Sequence, residues 1–234
     1  MALPAIQSYP PPSGPELPEN QATWRIDPDR AVLLVHDMQR YFVDAFPAGQ
    51  EPALSLTANV RALRDSAAAN GVPVAYTAQP GGMTAPERGL LNDFWGPGMT
   101  VSREQRAVVD GIEPRPGDWV FTKWRYSAFH RTGLLDLLRE QGRDQLVICG
   151  IYAHIGCLAT AVESYTNDIE TFMVSDAVAD FTAEYHRMAL RYAAERCAVV
   201  LPTRTAVDQI TQARPAMASA APTPSSTAIS GETR

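Results

Sequence analysis

An α/β fold, a doubly wound and mainly parallel six-stranded sheet with helices on both faces, is predicted by three features of the sequence. Six short apolar runs recur between Ala31 and Leu201. Stretches with apolar residues at helical spacing separate them. The runs Ala31–His36 and Leu146–Gly150 are apolar almost throughout, as expected of strands covered on both faces. Parallel strands need crossovers, and intervening helices supply them.

Along the chain, residues 1–23 carry Pro4, Pro10, Pro11, Pro12, Pro15 and Pro18, which excludes regular helix or central strand. This segment reads as an extended arm lying on the domain or on a partner subunit. The folded domain is expected over residues 24–213. Its first strand is Ala31–His36. A helix within Pro52–Asn70 follows from the spacing of Leu56, Val60, Leu63 and Ala67, closed by Gly71. Val72–Thr77 is the second strand. The region Ala78–Val101 holds Pro80, Gly81, Gly82, Gly96, Pro97 and Gly98, too long for a mere connector, and reads as a functional loop with its own short helix. Trp119–Lys123 is the third strand, followed by a helix over Thr132–Gln141 with Gly142 behind it. Leu146–Gly150 is the fourth strand and Leu158–Asp168 the next helix. Thr171–Val174, the helix Ala183–Arg196 and Ala198–Leu201 complete the pattern. Residues 214–234, rich in Ala, Pro, Ser and Thr, lack apolar periodicity and are expected to be a disordered tail.

The composition narrows the function classes. The chain has 234 residues, enough for one domain with a sizeable core, and a net charge of −6 with no Lys/Arg block, which argues against a nucleic-acid surface. No apolar run approaches a membrane span, and the first residues lack the pattern of an export signal, so a cytoplasmic protein is expected. Cys149, Cys157 and Cys197 form an odd set without CxxC spacing, which suits buried thiols better than disulfides or zinc.

The candidate chemistry gathers where strands end. From Leu146 the chain runs through Gly150 into a short turn containing Gly156, then into a small-residue helix. In an open parallel sheet, ligands bind outside the carboxyl ends of the strands. Asp37 follows the first strand, Lys123 ends the third and Gly156 lies in the turn after the fourth, with room beside it for substrate or water. An Asp at the end of an apolar strand is partly desolvated, which raises its pKa and lets it hold a proton at rest. A neighbouring Lys pulls that pKa down and can bind a carboxylate. Spacing alone leaves a purely structural ion pair open. In the long loop, Gln79, Arg88 and Trp95 stand out: Arg suits carboxylate recognition and Trp an apolar wall, although a surface Arg and a core Trp have the same spacing. His36 and His154 lack metal-ligand spacing, so no metal is expected. Cys157 reads as a packed small hydrophobe rather than a nucleophile.

Six stretches together carry a family resemblance: Leu34-Val35-His36-Asp37-Met38-Gln39, Tyr76-Thr77-Ala78-Gln79-Pro80, Asp93-Phe94-Trp95-Gly96, Thr122–Phe129, Gly150–Gly156 and Val174–Phe181. From about Pro4 to Thr203 the chain resembles the isochorismatases, a branch of the cysteine-hydrolase-like superfamily. The resemblance implies a three-layer sandwich. It implies an Asp–Lys pair without the nucleophilic Cys of the superfamily's amidohydrolases, whose position is Gly156 here. The implied reaction is hydrolysis of a vinyl ether, with release of pyruvate and no covalent intermediate or cofactor. Asp37 would be the general acid and Lys123 its electrostatic neighbour. Gln79, Arg88 and the backbone N–H of Tyr152 would hold the substrate carboxylates, with Trp95 and Phe42 as walls and Gly156 leaving space for the enolpyruvyl group. A non-proline cis peptide near Tyr152–His154 and a homodimer are implied as well.

Two substrates fit the resemblance, 2-amino-2-deoxyisochorismate and isochorismate. Siderophore-type members often carry a fused aryl carrier domain. The roughly 30 residues after Thr203 are too few for one, since small independent domains need about 40. That absence and the Gln79–Thr84 stretch favour the phenazine-type substrate, 2-amino-2-deoxyisochorismate.

Overall fold

Two adjacent strands at the middle of one six-stranded sheet set the geometry of the molecule. The structure, a computed structural model, describes residues 3–212; the tail expected at 214–234 lies outside the described residues. The strands are β1 (Ala31–His36), β2 (Val74–Ala78), β3 (Trp119–Thr122), β4 (Gln145–Ile151), β5 (Glu170–Ala179) and β6 (Val199–Leu201). They lie in the order β3-β2-β1-β4-β5-β6, and every neighbouring pair is parallel. The helices are α1 (Arg40–Val43), α2 (Ala53–Ala69), α3 (Ala85–Arg88), α4 (Leu91–Trp95), α5 (Arg103–Arg106), α6 (Leu134–Glu140), α7 (Leu158–Thr166), α8 (Ala183–Arg196) and α9 (Thr203–Thr211). The doubly wound parallel sheet expected from the sequence is the observed fold.

Alternation along β1 divides the core. Leu33 and Val35 face one layer, with Leu56, Val60 and Leu63 of α2 and Ala206 and Ile210 of α9. Val32 and Leu34 face the other, with Leu134 and Leu138 of α6, Ala161 of α7 and Ala189, Leu190 and Ala193 of α8. β1 is buried along its whole length, which is why its sequence shows no polar alternation. β4 approaches β1 so closely at Gly150, whose φ is +116°, that any side chain there would collide with the His36 backbone.

Several boundaries differ from expectation. β5 runs on to Ala179, because Ser175 and Asp176 interrupt the apolar run without ending the strand. α9 was not expected; its sequence is largely polar, and only Thr203, Ala206 and Ile210 are buried. Between β4 and α7 the chain makes a π-helical turn over Ala153–Cys157. The N-terminal arm lies on its own domain, where Ile6 and Tyr9 are buried. Among the described residues, no helix is long and apolar enough to cross a membrane.

The sheet order changes direction between β1 and β4, the place where open α/β sheets hold ligands. Strand register brings the carboxyl ends together there. His36 pairs with Thr77 on one side and Gly150 on the other, and Ala78 pairs with Thr122. Asp37, Gln79, Lys123 and Tyr152 therefore emerge at one edge.

Candidate active site

Asp37 is buried and borders a pocket at the carboxyl edge of the sheet. Its backbone is left-handed, with φ of +51°, a conformation that Asp tolerates better than most residues. This turn swings the carboxylate away from β1 and into the pocket. Its Oδ2 lies 2.8 Å from Lys123 Nζ, and its Oδ1 accepts the Thr77 hydroxyl at 2.7 Å. Burial works to raise the Asp37 carboxyl, but the Lys123 ammonium and the hydrogen bonds from Lys123 and Thr77 outweigh it. The carboxyl is held below the ordinary range. This corrects the expectation of a proton held at rest: Asp37 is ionised, because both its oxygens have buried donors.

The pocket is also bordered by Phe42, Gln79, Arg88, Trp95, Lys123, Tyr152 and Gly156, so all eight residues singled out in the sequence meet there. The long loop supplies the cationic side. Arg88, at the end of α3, is 7% exposed; its Nε donates to the Gly96 carbonyl at 2.8 Å and its Nη1 to Gln79 Oε1 at 3.4 Å. No carboxylate pairs with it among the described residues. Burial pulls the Arg88 guanidinium below its ordinary range, and an anion in the pocket would relieve that penalty. Trp95 donates from its indole N–H to the Tyr126 hydroxyl at 2.8 Å. Tyr152 donates to the Phe42 carbonyl at 2.7 Å and packs on Phe181, ring centres 4.3 Å apart. The non-proline cis peptide lies at Ile151–Tyr152.

Gly156 differs from expectation. Its backbone borders the pocket, but the room left by the absent side chain is filled by another residue. A Cβ there would overlap His36 Cε1 and lie 3.1 Å from both ring nitrogens. The imidazole is fully buried; its Nδ1–H donates to the Ile151 carbonyl at 3.0 Å, and its Nε2 accepts from the Thr160 hydroxyl at 3.2 Å. Burial lowers the His36 pKa to about 4, so the ring is neutral. His154 is engaged elsewhere, with Nδ1 2.6 Å from Asp180 Oδ1. Cys157 is fully buried, and burial pushes its thiol well above the ordinary range, the opposite of an activated nucleophile.

Sequence reasoning passed over several contributors. Thr77 binds the carboxylate from the neighbouring strand, a partner that only register reveals. Gln39 is buried; its side chain accepts the Gln79 N–H at 2.7 Å and donates to the Gln79 carbonyl at 3.0 Å, holding that residue at the rim. Tyr41, Tyr126, Phe181 and Leu3 line the cavity too. Aromatic content alone does not show which rings converge.

The model of the isochorismatase domain matches residues 31–205. The chain belongs to the isochorismatase family. This isochorismatase-family chain is 53% identical over 213 residues to a Bacillus subtilis protein named isochorismatase, covering 91% of this chain and 68% of that one. It is 55% identical over 201 residues to the phenazine biosynthesis protein PhzD of Pseudomonas fluorescens, covering 86% of this chain and 96% of the relative. Among solved structures, a cysteine hydrolase from Pseudomonas syringae pv. phaseolicola superposes with a TM-score of 0.73 at 23% identity, over 82% of this chain and 97% of that one. That likeness concerns the fold.

Proposed function

We propose that this protein hydrolyses the enolpyruvyl vinyl ether of an isochorismate-type substrate, releasing pyruvate by general acid catalysis from Asp37. The observation that carries this reading is the arrangement at the pocket base. A buried carboxylate sits between a cation and a hydroxyl and shares its pocket with a buried Arg88 that has no carboxylate partner among the described residues, while nearby Cys157 is held as a thiol.

A vinyl ether is activated by protonating its methylene carbon. The electron pair of the double bond takes the proton, and the ether oxygen shares the resulting charge as an oxocarbenium ion. Water adds to the ether-bearing carbon, not to the new methyl group, and returns its proton to the carboxylate. The hemiketal then collapses to a ring alcohol and pyruvate. The step calls for a positioned acid, whose contribution is typically about 10²–10⁴-fold. Since Asp37 is ionised, it must take up a proton from solvent as the substrate binds. Two incoming carboxylates offset the fields of Lys123 and Arg88 and displace water, and both effects raise the Asp37 pKa. Lys123 keeps the carboxylate oriented and stabilises it after proton transfer. Arg88, Gln79 and the Tyr152 backbone N–H hold the carboxylates, and Phe42 and Trp95 wall the ring.

The favoured substrate is 2-amino-2-deoxyisochorismate, which forms trans-2,3-dihydro-3-hydroxyanthranilate. The 55% identity to PhzD over 96% of that relative's length supports this choice. A homodimer is part of the same reading, supported by the exposed Leu90 (78%) and Phe94 (66%) beside the Trp95–Tyr126 rim. A monomer in light scattering would remove it. The test of the reaction is pyruvate release, coupled to lactate dehydrogenase, for wild type and Asp37→Asn. We expect a loss of about 10²-fold or more with the fold retained. A folded Asp37→Asn protein with near-normal turnover would refute the assignment.

A further inference from the structure

The arm that precedes the domain core reaches the site. Leu3 packs against the core layer that contains Phe42 and Tyr152, and it borders the same cavity as Asp37, Arg88 and Lys123. Behind it the chain is fastened at two points. The Ile6 N–H donates to the Ala45 carbonyl at 3.3 Å, and the Ile6 side chain is buried. The Tyr9 N–H donates to the Glu51 carbonyl at 3.3 Å. The Tyr9 hydroxyl accepts the Asp180 N–H at 2.7 Å and lies 3.1 Å from the Asp180 carbonyl and 3.2 Å from His186 Nδ1.

The second fastening is attached to the pocket wall. Asp180 is fully buried; its carboxylate accepts the His154 N–H at 2.6 Å and the Phe181 N–H at 2.8 Å. Those bonds hold the turn after Tyr152 and the ring that packs on Tyr152. The buried arm therefore grips the element that shapes one side of the cavity, and its tip forms part of another side. A loosely associated arm would need neither the buried Ile6 nor the buried, multiply bonded Tyr9 hydroxyl.

We propose that residues 3–9 form a strap that closes the substrate pocket, with Leu3 as a substrate-contacting wall and Tyr9 as the clasp. Leu3 is thus a specificity-determining residue: it supplies apolar cover to the ring and keeps water out of a site where a proton is delivered to carbon. The strap rests on the reading of the substrate as a ring dianion. Because Leu3 is anchored through Ile6 and Tyr9, its substitution leaves the fastening in place.

The experiment is a charge series at Leu3, read as kcat and KM for pyruvate release and as the melting temperature. Loss of apolar cover is expected to raise KM in both variants, and a carboxylate in the dianion's pocket to raise it about tenfold further in Leu3→Glu than in Leu3→Lys. Removal of residues 1–5, which keeps Ile6 and Tyr9, is expected to raise KM several-fold with the melting temperature nearly unchanged. Equal KM in the two charged variants would overturn the strap, as would losses that follow the melting temperature and ignore the sign of the charge. A wild type with no turnover would remove the reaction and the strap together. A normal wild type with charge-indifferent Leu3 variants would remove the strap alone.

Discussion

Replacing Lys123 by Met isolates the electrostatics of the site in a measurement that needs no substrate. Lys123 and Asp37 side chains are 2% and 6% exposed, 2.8 Å apart, and Met fills nearly the volume of the Lys stem. Removing one member of a buried pair leaves an uncompensated charge and typically costs about 3–5 kcal/mol. The sign of the pH dependence is the sharper test. In the wild type, the Asp37 pKa is depressed by its partners. Its contribution to stability is present above the unfolded value, about 3.9, and is lost as pH falls through the folded value. In the variant, burial remains as the largest influence while the main opposing charge is gone, so the folded pKa moves above the unfolded one. The variant's contribution is then complete below about pH 3.9 and is lost as pH rises through the raised folded value. The stability gap should be about 3–5 kcal/mol at neutral pH and narrow toward pH 4, other carboxylates cancelling between the two proteins. Urea unfolding at several pH values measures it. A gap below about 1 kcal/mol, or one that does not change with pH, would refute the argument by showing that water screens the pair.

Other variants probe neighbouring parts of the site. Gly156→Ala pushes a methyl group into the His36 ring and should cost about 1–3 kcal/mol of stability, seen as a lower melting temperature; an unchanged value would mean that the imidazole moves aside freely. Arg88→Met removes the charged donor proposed to hold a substrate carboxylate, worth about 1.5–3 kcal/mol, so KM should rise roughly 10–100-fold with the fold intact. Iodoacetamide should leave activity unaffected, since all three cysteines are buried and Cys157 is held as a thiol; inactivation that tracks Cys157 alkylation would reopen a thiol mechanism.

Legibility in the sequence followed the physics of each element. β1 could be read because burial on both faces forces an unbroken apolar run, and α8 because its buried residues His186, Ala189, Leu190 and Ala193 recur at helical spacing. α9 escaped because its sequence is largely polar and only three of its residues, Thr203, Ala206 and Ile210, are buried. Asp37 and Lys123 could be placed at one edge because the ends of parallel strands share it. Their detailed state could not, since Asp37 ionisation depends on Thr77 and Lys123 reaching separate oxygens. Gly156 misled for a related reason: a missing side chain signals space, but only packing shows that His36 fills it. The prolines of the arm excluded regular structure and were silent about where its tip would lie.

The most direct test of the central claim is the fate of oxygen when wild-type protein turns over its substrate in heavy-oxygen water. Protonation of the methylene carbon followed by water addition breaks the bond between the pyruvyl carbon and the ether oxygen. Mass spectrometry should then show one pyruvate per ring product and a ring hydroxyl that keeps its original light oxygen. Heavy oxygen in the ring hydroxyl would mean that water attacks the ring carbon, and would contradict the proposed mechanism.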